Sequence, residues 1–269
     1  MEGVLNFFID VLKFGLPYSV LALGIFISYR ILDFADLGAE GSYTLGGAVV
    51  AICLYHSLNP FLSLLISIVC GFLAGIITGV LHTKLRIPKL LSGIITMTAL
   101  FSINMFIMGF GSKGNTSGYA SNVYLNGKNT NGVVIKTIYD TFLGFFSAKN
   151  YNIIFINILL VVLVLAIIYF FFGREIGMSV RSTGMNEAMS RAQGINTSLM
   201  IILGLGISNA LIAMSGALYT QVNRTANNTM GVGVLVIGLA SIIIGEAIFG
   251  KRSFKNWILS VTFLSLIHI

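Results

Sequence analysis

Residues 173–196 read GREIGMSVRSTGMNEAMSRAQGIN, a polar run set between two long apolar segments. Its charges are Arg174, Glu175, Arg181, Glu187 and Arg191. Met185, Ala188, Met189 and Ala192 recur at i, i+3, i+4 and i+7, which predicts one face of a short helix. Asn186 is placed to cap its start and Glu187 falls in its first turn, where the helix dipole favours an anion. Gly194 supplies the stop. Such a helix has about two turns, roughly 10 Å at 1.5 Å per residue, and is marginal unless it leans on something. Two readings stay open at this point: a solvated helix lying on a membrane surface, or a helix that docks into a partner protein.

The membrane enters through composition. Of 269 residues 56% are apolar and only 9% charged, against about 25% charged in an ordinary soluble domain. Crossing roughly 30 Å of hydrocarbon takes around 20 residues. Working outward, the apolar runs are Phe7–Tyr29, Leu37–Tyr55, Phe61–Leu81, Leu90–Phe110, Ile153–Phe172, Leu199–Val222, Gly231–Phe249 and a last one from Trp257 onward. The expected fold is all-α: a polytopic membrane helical bundle of about eight transmembrane segments. The N-terminus lacks a basic leader and a cleavage site, and is read as part of the first segment.

Alternation places Arg30, His82, Lys84, Arg86, Lys89, Arg174, Arg181, Arg191, Lys251, Arg252 and Lys255 on one side. Lys113, Lys128, Lys136, Lys149 and Arg224 fall on the other, mostly in one long loop. Short loops dense in Lys and Arg stay in the cytoplasm, so the 173–196 stretch is expected there and both ends of the chain outside. The long loop, Gly111–Asn152, is rich in Gly, Asn, Ser and Thr, with apolar patches at Val133–Ile138 and Phe142–Phe146 suited to a short helix or hairpin over the membrane mouth.

Inside the bundle, Gly71, Gly75 and Gly79 form a small-residue stripe that predicts close helix crossing. Asn209 and Gln221 lie in an apolar segment and need partners there, either a neighbouring helix or a polar pathway. Asp33, Asp36 and Glu40 crowd the mouth of the second segment; the two aspartates are read as interfacial, and Glu40 as facing inward near the cytoplasmic mouth. Glu246 is expected to pair with Lys251 and Arg252. Cys53 and Cys70 read as isolated core cysteines, with no metal-site spacing. A phosphate-binding P-loop, H-E-x-x-H and G-x-S-x-G are all absent from the sequence, and no basic patch interleaved with aromatics suggests nucleic acid. A transporter or channel subunit without its own energy source is what remains. An ion-coupled carrier using Asp36 and Glu40, and a membrane scaffold, are the competing readings.

Several stretches then resemble one family. Val180–Asn196 is similar to the coupling loop of ABC importer membrane subunits, in an R-x-x-G-x-N then R-A-x-G-I-N pattern carried by Arg181, Gly184, Asn186, Arg191, Ala192, Gly194, Ile195 and Asn196. Asp33–Gly47 resembles the family's D-L-G-x-E-G-S-x-T-L-G, Leu205–Gln221 its L-x-x-S-N-A-L-x-x-x-x-G-A-L-x-x-Q, and Ile242–Gly250 its final approach to the cytoplasm. The family is that of branched-chain amino acid and ribose-type permeases, with the aromatic amino acid importers closest. The resemblance implies one transmembrane permease domain over 1–269, an extracytoplasmic loop at 111–152 and a cytoplasmic coupling loop at 173–198, in a bacterial cytoplasmic membrane. It implies ATPase subunits, an extracytoplasmic solute-binding protein and a second permease copy or paralogue as partners, besides the lipid bilayer. ATP is expected on the ATPase and no cofactor on this chain. Met185, Met189 and Ala192 would seat in an ATPase groove, with Glu187 and Arg191 at its rim. Glu40, Asn104, Asn209 and Gln221 are the pathway candidates, chosen for polarity at membrane depth. The final segment, WILSVTFLSLIHI, is too short to cross, and the family usually continues beyond it, so the reading expects a truncated chain.

Overall fold

The computed structural model describes residues 2–110, 120–125, 134–141 and 149–249. The described residues are predominantly α-helical, as composition requires when backbone polar groups must be satisfied away from water. The first helix, α1 (Glu2–Ile25), runs on through a π-helical turn at Phe26–Ile31. There follow α2 (Gly38–Tyr55), α3 (Pro60–Thr83) and α4 (Lys89–Gly109). A short strand β1 (Asn122–Tyr124) and the single turn α5 (Ile138–Thr141) precede α6 (Lys149–Phe172). Then come α7 (Glu175–Met185), α8 (Glu187–Ala192), α9 (Thr197–Asn223), strand β2 (Thr225–Asn227) and α10 (Val234–Phe249).

Among the described residues, five helical spans are long and apolar enough to cross a membrane: Ile9–Ile31, Pro60–Thr83, Lys89–Gly109, Asn152–Phe172 and Thr197–Asn223. Of the other expected segments, α2 is an 18-residue helix and α10 a shorter apolar one of 16 residues. The segment from Trp257, with Lys251, Arg252, Lys255 and the chain's end, lies outside the described residues. So do Lys113, Lys128 and Phe142–Phe146 of the long loop.

The bundle is built around α9, packed against α1, α2 and α3. The glycine stripe explains how. A Cβ on Gly71 would strike Ala213 and the Asn209 carbonyl, one on Gly75 the Leu205 carbonyl, and one on Gly79 the Ile202 backbone. Gly46 of α2 abuts the Ala213 carbonyl, and Gly216 of α9 abuts that of Tyr43. Backbones this close gain dispersion contacts that lipid cannot supply. Hydroxyls complete the crossing with α1: Ser208 donates to the Gly24 carbonyl at 2.7 Å and Ser215 to that of Pro17 at 2.6 Å.

The two ends of the bundle differ. At one, Lys89 Nζ donates to the Asp33 carbonyl at 2.8 Å, and Arg30 pairs with Glu246 at 2.7 Å. Gly184 presses on the Ile31 carbonyl at the same end. At the other end β1 pairs antiparallel with β2, Asn122 opposite Asn227. Arg224, in the left-handed conformation after α9, binds the Asp140 carboxylate at 2.7 Å. Of the short helix or hairpin expected in the long loop, the described residues hold the single helical turn α5, and a ribbon joins the loop to the residues after α9. Basic residues gather at one end and the ribbon lies at the other, the partition that alternation predicts.

The stretch after β2 does not stay at the ribbon end. Gly231 packs on the Glu40 carbonyl and Met230 against Gly47, so residues 228–233 descend into the bundle before α10 begins. Gly233 meets Glu40 and Glu246 meets Arg30, so α10 runs from the level of Glu40 to the basic end. The seventh segment expected from Gly231 is therefore helical only from Val234.

Candidate functional site

Two regions carry the candidate residues: the elbow at the basic end, and a polar seam where α2, α4, α9 and the descending 228–233 stretch meet.

The elbow is two helices where the periodicity suggested one. Helix α7 turns Gly177, Val180 and Thr183 inward, and its two glycines press against the Phe171 and Ile31 carbonyls. The chain then extends at Asn186 (φ −157°, ψ 102°) and restarts as α8. Met185 therefore ends α7 and does not share a helix with Ala188, Met189 and Ala192, which corrects the four-residue face. The caps of α8 are as expected. Asn186 Oδ1 accepts from Met189 N–H at 3.0 Å. At the far end Ile195 N–H bonds the Ser190 carbonyl and Gly194 N–H that of Arg191, with Gly194 at φ 84°. That closure satisfies carbonyls that otherwise hang free.

A side-chain clasp ties α8 to the start of α9. Arg191 Nη2 donates to Glu187 Oε1 at 2.6 Å and to Thr197 Oγ1 at 3.2 Å. Thr197 Oγ1 donates to the same carboxylate at 3.2 Å. Glu187 and Arg191 thus pair with each other on the exposed side of α8. In α8 only Ser190 is buried; Met189 is 60% exposed and Met185, just before it, 88%. A six-residue helix satisfied at both ends and bare outside has its apolar side chains directed away from its own fold. Arg181 lies further back on α7, half-buried.

In the seam, Asp36 is the main correction. Expected at the interface, it is 1% exposed. Its Oδ1 accepts from Gly38 N–H at 2.8 Å and its Oδ2 from Asn209 Nδ2 at 2.7 Å. The physical reason is the start of α2: Gly38 and Gly93 have no side chain, so α4 closes over the carboxylate, with Thr78 and Thr96 bonded at 3.0 Å nearby. The carboxylate answers the free N–H groups at the start of α2. Asp33 does lie at the surface, its side chain 83% exposed beside Lys89. Glu246 pairs with Arg30, and its expected partners Lys251 and Arg252 fall outside the described residues.

Glu40 is half-buried in the first turn of α2, and its Oε1 accepts from Gly233 N–H at 3.0 Å, just ahead of α10. Asn104 on α4 is buried and donates Nδ2 to the Gly41 carbonyl at 3.1 Å. Glu40 and Asn104 line one small cavity together with Thr44 and Asn228. The other two pathway candidates lie elsewhere. Asn209 bonds Asp36, and Gln221 Oε1 accepts from Ile138 N–H at 2.9 Å near the ribbon. Asn228 escaped sequence reading because it sits in a gap between two apolar runs. The signal was its neighbourhood, NNTMGVG, where glycines allow the backbone to approach a helix. Among the described residues no group of His, Cys, Asp and Glu forms a metal site, and Cys53 and Cys70 are free.

Residues 7–267 match the family described as "Branched-chain amino acid transport system / permease component". The chain is 38% identical over 254 residues to a tyrosine transport system permease protein of Clostridioides difficile, covering 94% of this chain and 76% of that one. It is 33% identical over 247 residues to an uncharacterized protein of Rickettsia prowazekii, covering 91% and 79%. The ribose import permease protein of Haemophilus influenzae is 24% identical over 236 residues, covering 87% and 64%. This chain therefore belongs to the branched-chain amino acid transport system permease family: it is a membrane permease component of an ABC-type transporter, not itself an enzyme.

Proposed function

We propose that this chain is the membrane subunit of an ATP-driven importer that carries an amino acid across a bacterial cytoplasmic membrane, with α8 as the helix that receives the ATPase. The observation that carries the coupling assignment is the exposure of a self-capped helix at the basic end, with Met189 as its outward apolar knob. Methionine adapts to the shape of a partner groove. Met185 flanks that knob from the end of α7, and Ala188 and Ala192 leave room around it. Asn186, Gly194 and the Glu187–Arg191 clasp keep α8 formed, while Gly184 and Arg181 join it to the bundle. Push on α8 reaches the π-helical turn of α1 where Gly184 meets Ile31, and Arg30 in that turn holds α10 through Glu246.

The basic end then faces the cytoplasm, and the ribbon end receives a solute-binding protein. A second permease chain completes the pathway, and α2 and α10, short as they are, join the five long spans as membrane segments. Within the chain Glu40 and Asn104 face the solute path, while Asn209 and Gln221 hold its walls. The tyrosine permease relative supports an amino acid cargo; the ribose permease, at lower identity, makes a sugar the second reading.

The test is reconstitution of this chain with its ATPase and binding protein, followed by ATP-dependent uptake of tyrosine, branched-chain amino acids and ribose. Amino acid uptake that needs ATP is the expected result. The Met189→Asp variant should stay folded yet lose both ATPase co-purification and uptake. Uptake by the permease alone, with no ATPase present, would contradict the proposal.

A further inference from the structure

The cavity beside Glu40, which the proposed function places on the solute path, has a composition that narrows what it can hold. It is small, about 20 Å³, room for one water-sized group. Its polar lining residues, Glu40, Thr44, Asn104 and Asn228, all carry oxygen acceptors. Asn104 Oδ1 is buried with no partner, and its orientation is fixed because Nδ2 is committed to the Gly41 carbonyl. Asn228 Oδ1 is likewise buried and unpartnered. Thr44 gives its proton to the Glu40 carbonyl at 3.1 Å, which leaves its oxygen free to accept. Glu40 adds a carboxylate, and among the described residues no Lys, Arg or His pairs with it. Its hydrogen bond from Gly233 N–H engages one oxygen only.

Two buried acceptors left unfilled beside a half-buried carboxylate are costly unless a donor or cation joins them. A water molecule would satisfy two acceptors and leave the negative charge uncompensated. We infer that this cavity binds one compact monovalent cation, held by Glu40, Asn104 and Asn228. Two sources share that chemistry: the ammonium group of a carried solute, or a free ion such as Na⁺ or K⁺. Phe101 and Val232 line the same cavity and are exposed, so an ammonium head can enter with its substituent left outside. The ammonium source rests on the proposed amine-bearing cargo, whereas a free ion does not, and the salts below tell the two apart.

The experiment is thermal unfolding of the purified full-length chain in detergent, in ammonium, methylammonium, sodium, potassium or choline chloride at one fixed ionic strength. The bulky choline ion cannot enter and sets the baseline. A cation in excess over its Kd should raise the midpoint by roughly 2–4 °C over choline. A rise with ammonium and methylammonium alone assigns the site to an amine head group; a rise with Na⁺ or K⁺ assigns it to a free ion. Glu40→Gln, which keeps an acceptor for Gly233 N–H, should abolish the rise, and Asn228→Ala should reduce it. Identical midpoints in all five salts, or a rise undiminished in Glu40→Gln, would overturn the inference.

Discussion

The elbow and the seam solve the same local problem in opposite surroundings. Each contains a helix start whose N–H groups need an acceptor: Asn186 serves α8 and Asp36 serves α2. At α8 the cap is exposed, water could replace it, and the side chains beyond it point outward. At α2 the cap is sealed under α4 and bonded across to α9, so nothing can replace it. A neutral side chain suffices where solvent is near, whereas the sealed start draws a carboxylate that reaches two donors. The seam therefore holds the bundle together, and the elbow is free to serve something outside it.

Substitutions graded from inside outward would break or sharpen that contrast. Gly216→Val should have the largest effect, because its Cβ meets the Tyr43 carbonyl and two packed backbones must separate. The expected outcome is loss of a monodisperse peak in detergent size-exclusion chromatography. Asp36→Ala should come next. It strands the Gly38 N–H and one N–H of the Asn209 amide, whose other stays on the Leu205 carbonyl, at about 1–3 kcal/mol for each buried group left unpaired, read as a lowered unfolding midpoint. Gly184→Val lies between the regions. It should leave the bundle folded while pushing α7 off the π-helical turn, seen as faster proteolysis between residues 173 and 196. Asn186→Ala should cost only about 1 kcal/mol of local helix stability, detectable as faster amide exchange in α8 with no change in the global midpoint. If Asn186→Ala destabilised the bundle as much as Asp36→Ala, the division between the two regions would fail.

The same contrast explains how much of the structure is legible in the chain. The α8 caps are local: Asn186, Glu187 and Gly194 act within a few residues, and the expectation matches the geometry. The packing of the 71–75–79 stripe is also legible, because small residues at that spacing mean close approach whatever the partner. Asp36 is misplaced by sequence reading because its burial depends on Gly93, Thr96 and Asn209, far away in sequence, and no local pattern announces them. Met185 falls to the wrong helix because spacing cannot register a break in the backbone at Asn186. Glu40 and Asn104 stand out by polarity at membrane depth. Their shared cavity depends on residues 228–233 entering the bundle, which hydropathy alone treats as the start of a span.

The most direct test of the account is the accessibility of position 189. In a Met189→Cys variant with Cys53 and Cys70 replaced by alanine, a membrane-impermeant maleimide should label the isolated chain in detergent rapidly. Labelling should fall at least tenfold, roughly the loss expected when an exposed knob enters a packed interface, once the ATPase subunits are bound. Equal labelling in the free chain and in the assembled transporter would contradict the assignment of α8 as the ATPase-receiving helix.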